Sequence, residues 1–192
     1  MTSLKEEELK KILPKDGPSI KEVKKYLNKY NDETICIKCG GSVLIDPNLF
    51  NIFINDITIL KKLKLTPLIV HGGGKRINNK LNELNIKSTF IEGLRITDQK
   101  IITIVENVLI EFNKEIVRSL NKQSCKARSI TTKENNVISV ESERKELGFV
   151  GMPTEIKNSV LNKIINANEV PVIAPMGLKN EMPYNINADT AA

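Results

Sequence analysis

Hydrophobic positions along this chain change period repeatedly, and the changes predict an alternation of helices and strands. Residues 4–13 form a charged amphipathic stretch, Pro14-Lys-Asp-Gly-Pro18 interrupts it, and a second short helix is predicted over about 19–30. Thr34-Ile-Cys-Ile-Lys38 is a compact β-rich run ended by Gly40-Gly41, and residues 47–65 place Leu49, Phe53, Ile57, Leu60 and Lys64 at helical spacing. Pro67-Leu-Ile-Val70 is a second apolar run, ended by His71-Gly-Gly-Gly74, after which Ile77, Leu81 and Leu84 mark one helical face. The unit of strand, glycine turn and helix therefore occurs twice.

Thr89–Ile91 and Leu94–Ile96 flank Gly93 as a predicted β-hairpin lying over the site. A long helix is expected from about Asp98 to Lys122, with Thr97 as N-cap and Ile101, Val105, Val108, Phe112, Ile116 and Leu120 inward. Lys126–Thr131, Val137–Val140 and Gly148–Ile156 read as strands with Asn135-Asn136 as a turn, Ser159–Ala167 as a short helix, and Pro171-Val-Ile-Ala174 as a third buried strand. Strands separated by helices predict an α/β fold, a three-layer αβα sandwich around a mainly parallel sheet. Residues 1–33 read as an appended helical arm and 34–192 as one domain without an internal linker.

Composition narrows the function classes. The 192 residues are 40% hydrophobic, enough for one ordinary core. The net charge is +6, yet residues 1–33 hold eight Lys against seven acids, so no dedicated nucleic-acid arm stands out. Three Tyr, five Phe and no Trp leave few stacking platforms for single strands, which favours a small anionic ligand over nucleic acid. No run approaches the length needed to cross a bilayer, and the expectation is a cytoplasmic protein without a membrane partner. Cys36-x-x-Cys39 has no second pair or His ligand, so both are expected as small apolar fillers and no metal ligands are assigned.

Glycine turns at the ends of parallel strands let backbone N–H groups close on phosphate oxygens, and the helix N-terminus that follows adds partial positive charge. Neither Gly40-Gly41 nor Gly72-Gly73-Gly74 fits a Walker P-loop or a Gly-x-Gly-x-x-Gly fingerprint. Each could be simply a tight turn; two of them together with Lys38 at a strand end make an anion site of another kind the alternative reading.

Ile37-Lys-Cys-Gly-Gly-Ser42, Val70-His-Gly-Gly-Gly74, Gly93-Leu-Arg-Ile-Thr97, Asn113-Lys-Glu-Ile-Val117, Leu147-Gly-Phe-Val-Gly151, Pro171-Val-Ile-Ala-Pro175 and Asn185-Ile-Asn-Ala-Asp189 stand in an order that resembles the acetylglutamate kinases of the amino acid kinase family. The resemblance covers residues from about 34 to 192. It implies ATP-dependent phosphorylation, with Mg2+ carried by the nucleotide, of the γ-carboxylate of N-acetyl-L-glutamate in arginine biosynthesis. The alternatives are a non-catalytic acetylglutamate-binding or assembly module, and a related amino acid kinase with a carbamate or another carboxylate as substrate.

Carried over by motif, Lys38 corresponds to the lysine that stabilises the transferring phosphoryl group, and Gly40 and Gly41 to its backbone phosphate cradle. Gly73 and Gly74 correspond to the glycines beside the reacting carboxylate. Arg95 corresponds to the arginine that grips the α-carboxylate, a task suited to a guanidinium fork. Asn185 corresponds to a substrate-binding amide, and Asp189 to the carboxylate that orients the catalytic lysines. His71 reads as a hydrogen-bonded structural residue rather than a base.

Two departures from the pattern stand out. Family members continue past Asn-x-Asn-Ala-Asp into a part carrying most of the ATP pocket and a second catalytic lysine, so this sequence is expected to be a fragment, incomplete at its C-terminus. Ala127-Arg-Ser-Ile-Thr-Thr-Lys-Glu134 replaces a Gly-Leu-Ser-Gly-Lys-Asp-like stretch, keeping Lys133. Ile12-Leu-Pro14 and Tyr26-Leu-Asn-Lys-Tyr30 resemble the extra helix of arginine-inhibited hexameric members, which implies a homo-oligomer, dimer or hexamer, and arginine as an inhibitor.

Overall fold

The computed structural model describes residues 4–31, 33–41 and 45–192. Ser42, the last residue of the first glycine motif, lies outside them.

Four parallel strands form the central sheet in the order β1 (Thr34–Cys39), β2 (Thr66–His71), β8 (Val170–Ile173), β5 (Ala127–Ile130). Strand β2 is apolar from Pro67 to Val70 and buried from Pro67 to His71, because both faces of the sheet are covered. Alternation divides its side chains. Ile69 faces helices α3 (Pro47–Lys62) and α5 (Gln99–Lys122) among Phe50, Ile54, Ile57, Phe112 and Ile116. Leu68 and Val70 face the opposite layer, with α6 (Asn158–Asn166) and α7 (Ala188–Ala191), among Ile164, Ile173 and Ile186. The predicted three-layer sandwich is therefore present. Each fully buried Ile, Leu or Phe contributes about 1.5–3 kcal/mol.

The helical stripes differ in detail from expectation. On α3 the buried residues are Phe50, Ile54, Ile57 and Thr58, while Leu49 is exposed. Ile57 of the expected stripe is buried and Phe53 and Leu60 pack at the rim of the core, but the helix ends before Lys64, which turns to φ 65. Leu84 caps helix α4 (Gly74–Glu83) and is exposed. On α5, Ile102 and Leu109 are buried and Val108 is only half-buried. The N-cap of α5 is Asp98, not Thr97: its carboxylate accepts the Ile101 N–H at 2.8 Å, while the Thr97 hydroxyl donates to the Arg95 carbonyl at 2.8 Å.

A second sheet was not foreseen. It holds β6 (Ile138–Ser142), β7 (Gly151–Ile156), β9 (Met176–Lys179) and β10 (Met182–Asn185) in the order β10-β9-β6-β7. The β9–β10 hairpin turns at Asn180 and Glu181, both at positive φ. Strand β7 begins three residues later than expected because Lys145–Leu147 form a 3-10 turn and Gly148 stands at φ +70. The short hairpin of β3 (Phe90–Ile91) and β4 (Leu94–Arg95) turns through Glu92 and Gly93, both at positive φ.

Helices α1 (Glu6–Ile12) and α2 (Ile20–Lys29) close on the end of α3 through Leu9, Val23 and Leu63. Ser19 caps α2 by accepting the Glu22 N–H, and Glu22 accepts the Ser19 N–H in return. No helix among the described residues is long and apolar enough to cross a membrane.

Candidate active site

Strands β1 and β2 run side by side in register, Lys38 opposite Val70 and Cys39 opposite His71, so their glycine turns leave the sheet at one edge. The Gly72 N–H donates to the Cys39 carbonyl at 2.8 Å and stitches the turns together. A methyl on Gly41 would stand 3.7 Å from Gly74 N and 3.9 Å from Gly73 N, and one on Gly72 would stand 3.2 Å from Gly41 N. The Gly40-Gly41 turn and the N-terminus of α4 thus converge. Helix N-terminal amides have no partner within the helix, so the convergence concentrates free donors and positive potential at one place.

A cleft of about 230 Å³ opens there, with Lys38, Gly40, Gly73, Gly74, Arg95, Asn185 and Asp189 in its lining. Of the eight motif residues carried over to the site, only Gly41 is not in the lining. Cleft walls that lie outside the quoted motifs include Ile77, Phe90 and Leu109.

At one end, Lys38 Nζ lies 2.7 Å from an Asp189 carboxylate oxygen. Strand alternation sends Ile37 and Cys39 toward the α3 and α5 layer, which leaves Lys38 facing α7. Asn187 caps α7 by accepting the Asp189 N–H at 2.8 Å, and so fixes where that carboxylate starts. Asn185 is the last residue of β10, and its N–H donates to the Phe149 carbonyl at 2.9 Å. The Asn-x-Asn-Ala-Asp run therefore spans strand end, cap and helix start.

At the other end, Arg95 is only 5% exposed. Its guanidinium donates to the Ser88 hydroxyl, to Asn78 Oδ1 at 2.8 Å and to the Gly74 carbonyl at 3.5 Å, and it lies 4.7 Å from the centre of the Phe90 ring. All these partners are neutral, and no carboxylate pairs with Arg95 among the described residues. Burial moves its pKa below the usual arginine value, as expected for a cation removed from water. A buried charge without a counter-ion is costly, and a bound anion relieves the cost.

Ser88 and Asn78 were not foreseen as supports. Asn78 carried one signal, since asparagine is a weak helix former and here it sits inside a helix.

Behind the glycine turn, His71 is fully buried and Asn113 reaches it from α5. Asn113 Nδ2 donates to the Val172 carbonyl at 2.8 Å and stands 3.2 Å from His71 Nε2, while the Ser129 hydroxyl donates to Asn113 Oδ1 at 2.7 Å. Burial drives the His71 pKa down to about 4, so the ring is neutral at pH 7, in keeping with a structural role. Cys39 is buried, with its thiol pushed up to about 11, mainly by burial, which suits a core filler and not a nucleophile. Cys36, by contrast, is exposed. Lys133 turns to Glu106 at 3.4 Å, and Thr132 donates to the same carboxylate at 2.6 Å.

Comparison with known proteins decides the family. The model of the amino acid kinase family matches residues 33–192. The chain belongs to the amino acid kinase family. Among curated relatives, the acetylglutamate kinase of Pelagibacter ubique (strain HTCC1062) is 66% identical over 193 residues, covering 100% of this chain and 67% of that protein. The acetylglutamate kinase of Campylobacter fetus subsp. fetus is 44% identical, covering 87% of this chain and 61% of that protein. This amino acid kinase chain therefore spans about two thirds or less of the length of such relatives. Among solved structures, smu.665 from Streptococcus mutans superposes with a TM-score of 0.75 at 26% identity, over 83% of this chain and 65% of that one.

Proposed function

We propose that this chain forms the acetylglutamate-binding part of an acetylglutamate kinase, which phosphorylates the γ-carboxylate of N-acetyl-L-glutamate with ATP in arginine biosynthesis, in the cytoplasm. The observation that carries this reading is the buried, acid-free Arg95 in the same cleft as two converging glycine turns and Lys38. One cleft thus offers two anion sites, as a ligand with a carboxylate at each end requires. The relatives named acetylglutamate kinase point the same way.

In this reading Arg95 grips the α-carboxylate through the guanidinium N–H groups that Ser88, Asn78 and Gly74 leave over, and Asn185 orients the ligand by its side-chain amide. The N–H groups of Gly73 and Gly74 face the γ-carboxylate. With a pKa near ~4, that carboxylate is already ionised at neutral pH, so no general base is required. ATP, with its Mg2+, supplies the phosphoryl group: a carboxylate oxygen forms the new bond to phosphorus as the bond to the ADP oxygen breaks. Charge on the phosphoryl oxygens is met by the Lys38 ammonium and the Gly40-Gly41 amides, and Asp189 holds Lys38 in place. The donor set fits a phosphate, being cationic and glycine-rich.

Residues 1–33 are read as an arm distinct from the kinase portion, 34–192. Self-association as a dimer or hexamer is assigned to that arm, and sedimentation tests it; arginine inhibition is a property of the longer kinase, tested by its activity with and without arginine.

The deciding experiment is calorimetric titration of the chain with N-acetyl-L-glutamate, with L-glutamate, L-aspartate and carbamate as competitors and Arg95→Ala as control. The expected result is binding selective for N-acetyl-L-glutamate and lost in R95A. Equal binding of all four, or binding indifferent to R95A, would overturn the reading.

A further inference from the structure

The buried polar relay behind the glycine turn fixes more than the packing of the sheet. Its start is the Val172 carbonyl, which can only accept a hydrogen bond. Asn113 Nδ2, 2.8 Å away, is therefore the NH2 end of the amide, and the Ser129 hydroxyl on Asn113 Oδ1 agrees with this assignment. That NH2 also stands 3.2 Å from His71 Nε2, so Nε2 must accept. A neutral imidazole then carries its proton on Nδ1, and Nδ1 lies 3.1 Å from the Gly72 carbonyl. The relay ends in a donor aimed at one backbone oxygen.

That oxygen belongs to the Gly72–Gly73 peptide. In a trans peptide the C=O and the following N–H point in opposite directions. With its carbonyl held inward by His71, the peptide directs the Gly73 N–H away from the buried ring, toward the cleft that Gly73 lines. Among the described residues no protein acceptor takes this N–H. Neither neighbour of the peptide has a side chain to hold its orientation. Without the histidine it could rotate and present its carbonyl, a repulsive group, to a bound carboxylate.

We infer that His71 is a positioning residue: through Asn113 and the Gly72 carbonyl it orients the Gly73 amide as a donor for the ligand carboxylate remote from Arg95. The inference rests on the acetylglutamate reading above, and makes that reading specific about how one amide is aimed.

The test measures what the second carboxylate adds to binding. N-acetyl-L-glutamate and N-acetyl-L-norvaline differ by a γ-carboxylate against a methyl group, so the ratio of their Kd values isolates the glycine end of the cleft. Asn at position 71 places an amide NH2 near Nδ1 and Gln places one near Nε2, so His71→Asn keeps the donor to Gly72 and His71→Gln moves it away. The ratio is expected to fall about tenfold in H71Q, and to be restored toward wild type in H71N. Binding of N-acetyl-L-norvaline should be equal in both and still depend on Arg95.

A purely structural histidine would shift both ligands alike in both variants, and that outcome overturns the inference. If the wild type fails to bind N-acetyl-L-glutamate, the functional reading falls first, which separates the two failures. Nitrogen-15 spectra of the wild-type imidazole give a check independent of any variant: a proton on Nδ1 is expected, and one on Nε2 alone would break the relay.

Discussion

Lys38 at the end of β1 and Asp189 in the first turn of α7 meet at 2.7 Å, although strands of both sheets intervene between them in sequence. The pair is open to water, with side-chain exposures of 33% and 74%, so its share of stability is small, under about 1 kcal/mol. Asp189→Asn should therefore leave the urea midpoint nearly unchanged. In a full-length kinase carrying this part, Lys38→Met should lower phosphoryl transfer by about 100-fold or more, with acetylglutamate affinity held within a few-fold. Trapping the acyl phosphate with hydroxylamine measures the first effect and calorimetry the second; a parallel loss of both would assign Lys38 to ligand binding instead.

Arg95 makes ligand binding and stability one experiment. A ligand at 100 times its Kd stabilises the folded state by about 2.7 kcal/mol. Saturating N-acetyl-L-glutamate should raise the thermal midpoint of the wild-type chain, and R95A should show no such rise. A ligand-induced rise that survives in R95A would place the anion elsewhere.

His71 predicts a pH dependence of definite sign. Its folded-state pKa of about 4 lies below the ordinary 6.5, so the unfolded chain takes up the proton first as pH falls. The stabilisation is complete above about pH 6.5 and is lost progressively as pH drops toward 4, a total of about 3 kcal/mol. Urea midpoints at pH 7.5, 5.5 and 4.5 should fall more steeply for wild type than for H71N. Parallel slopes would mean that the ring is not buried neutral.

Gly148→Ala should cost about 2 kcal/mol or more. The position holds φ +70, and an added methyl would strike the Thr97 carbonyl where Thr97 and Gly148 form a bridge. Because Thr97 lies between Arg95 and the cap of α5, acetylglutamate affinity should weaken along with the denaturation midpoint. An unchanged midpoint would show that the backbone relaxes there at little cost.

The parallel sheet was legible because β2 and β8 carry short apolar runs, a pattern set by burial on both faces, and because β1, at the outside of the sheet with alternate residues exposed, ends in Gly40-Gly41. The β9–β10 hairpin escaped notice because its turn is Asn180-Glu181 rather than a glycine pair, and Gly177 and Pro183 disguise the strands around it. Candidate site residues on turns were legible by motif, since glycines and a strand-end lysine leave a sequence trace. Their supports left less. Asn113 stood in a quoted motif without a role and Glu106 went unmarked, both on the inward face of α5, where a polar residue among Ile102, Leu109 and Ile116 is itself the clue to a buried partner. Thr97 was expected as the cap because the helix was read from Asp98, and only the hydrogen bonds separate two adjacent residues that are both good caps.

Parity along β1 makes strand length a ruler for the chemistry. Pairing in register with β2 sets Lys38 one step before the sheet edge, with Ile37 and Cys39 committed to the opposite layer. Adding one residue between Thr34 and Lys38 would force a choice between burying an ammonium under α3 and pulling the glycine turn off the α4 amides. Two added residues would restore the alternation yet push the turn outward by about 6–7 Å. Insertions at this strand should therefore be tolerated by neither the hydrophobic layer nor the phosphate cradle, which leaves substitution as the one way the segment can vary.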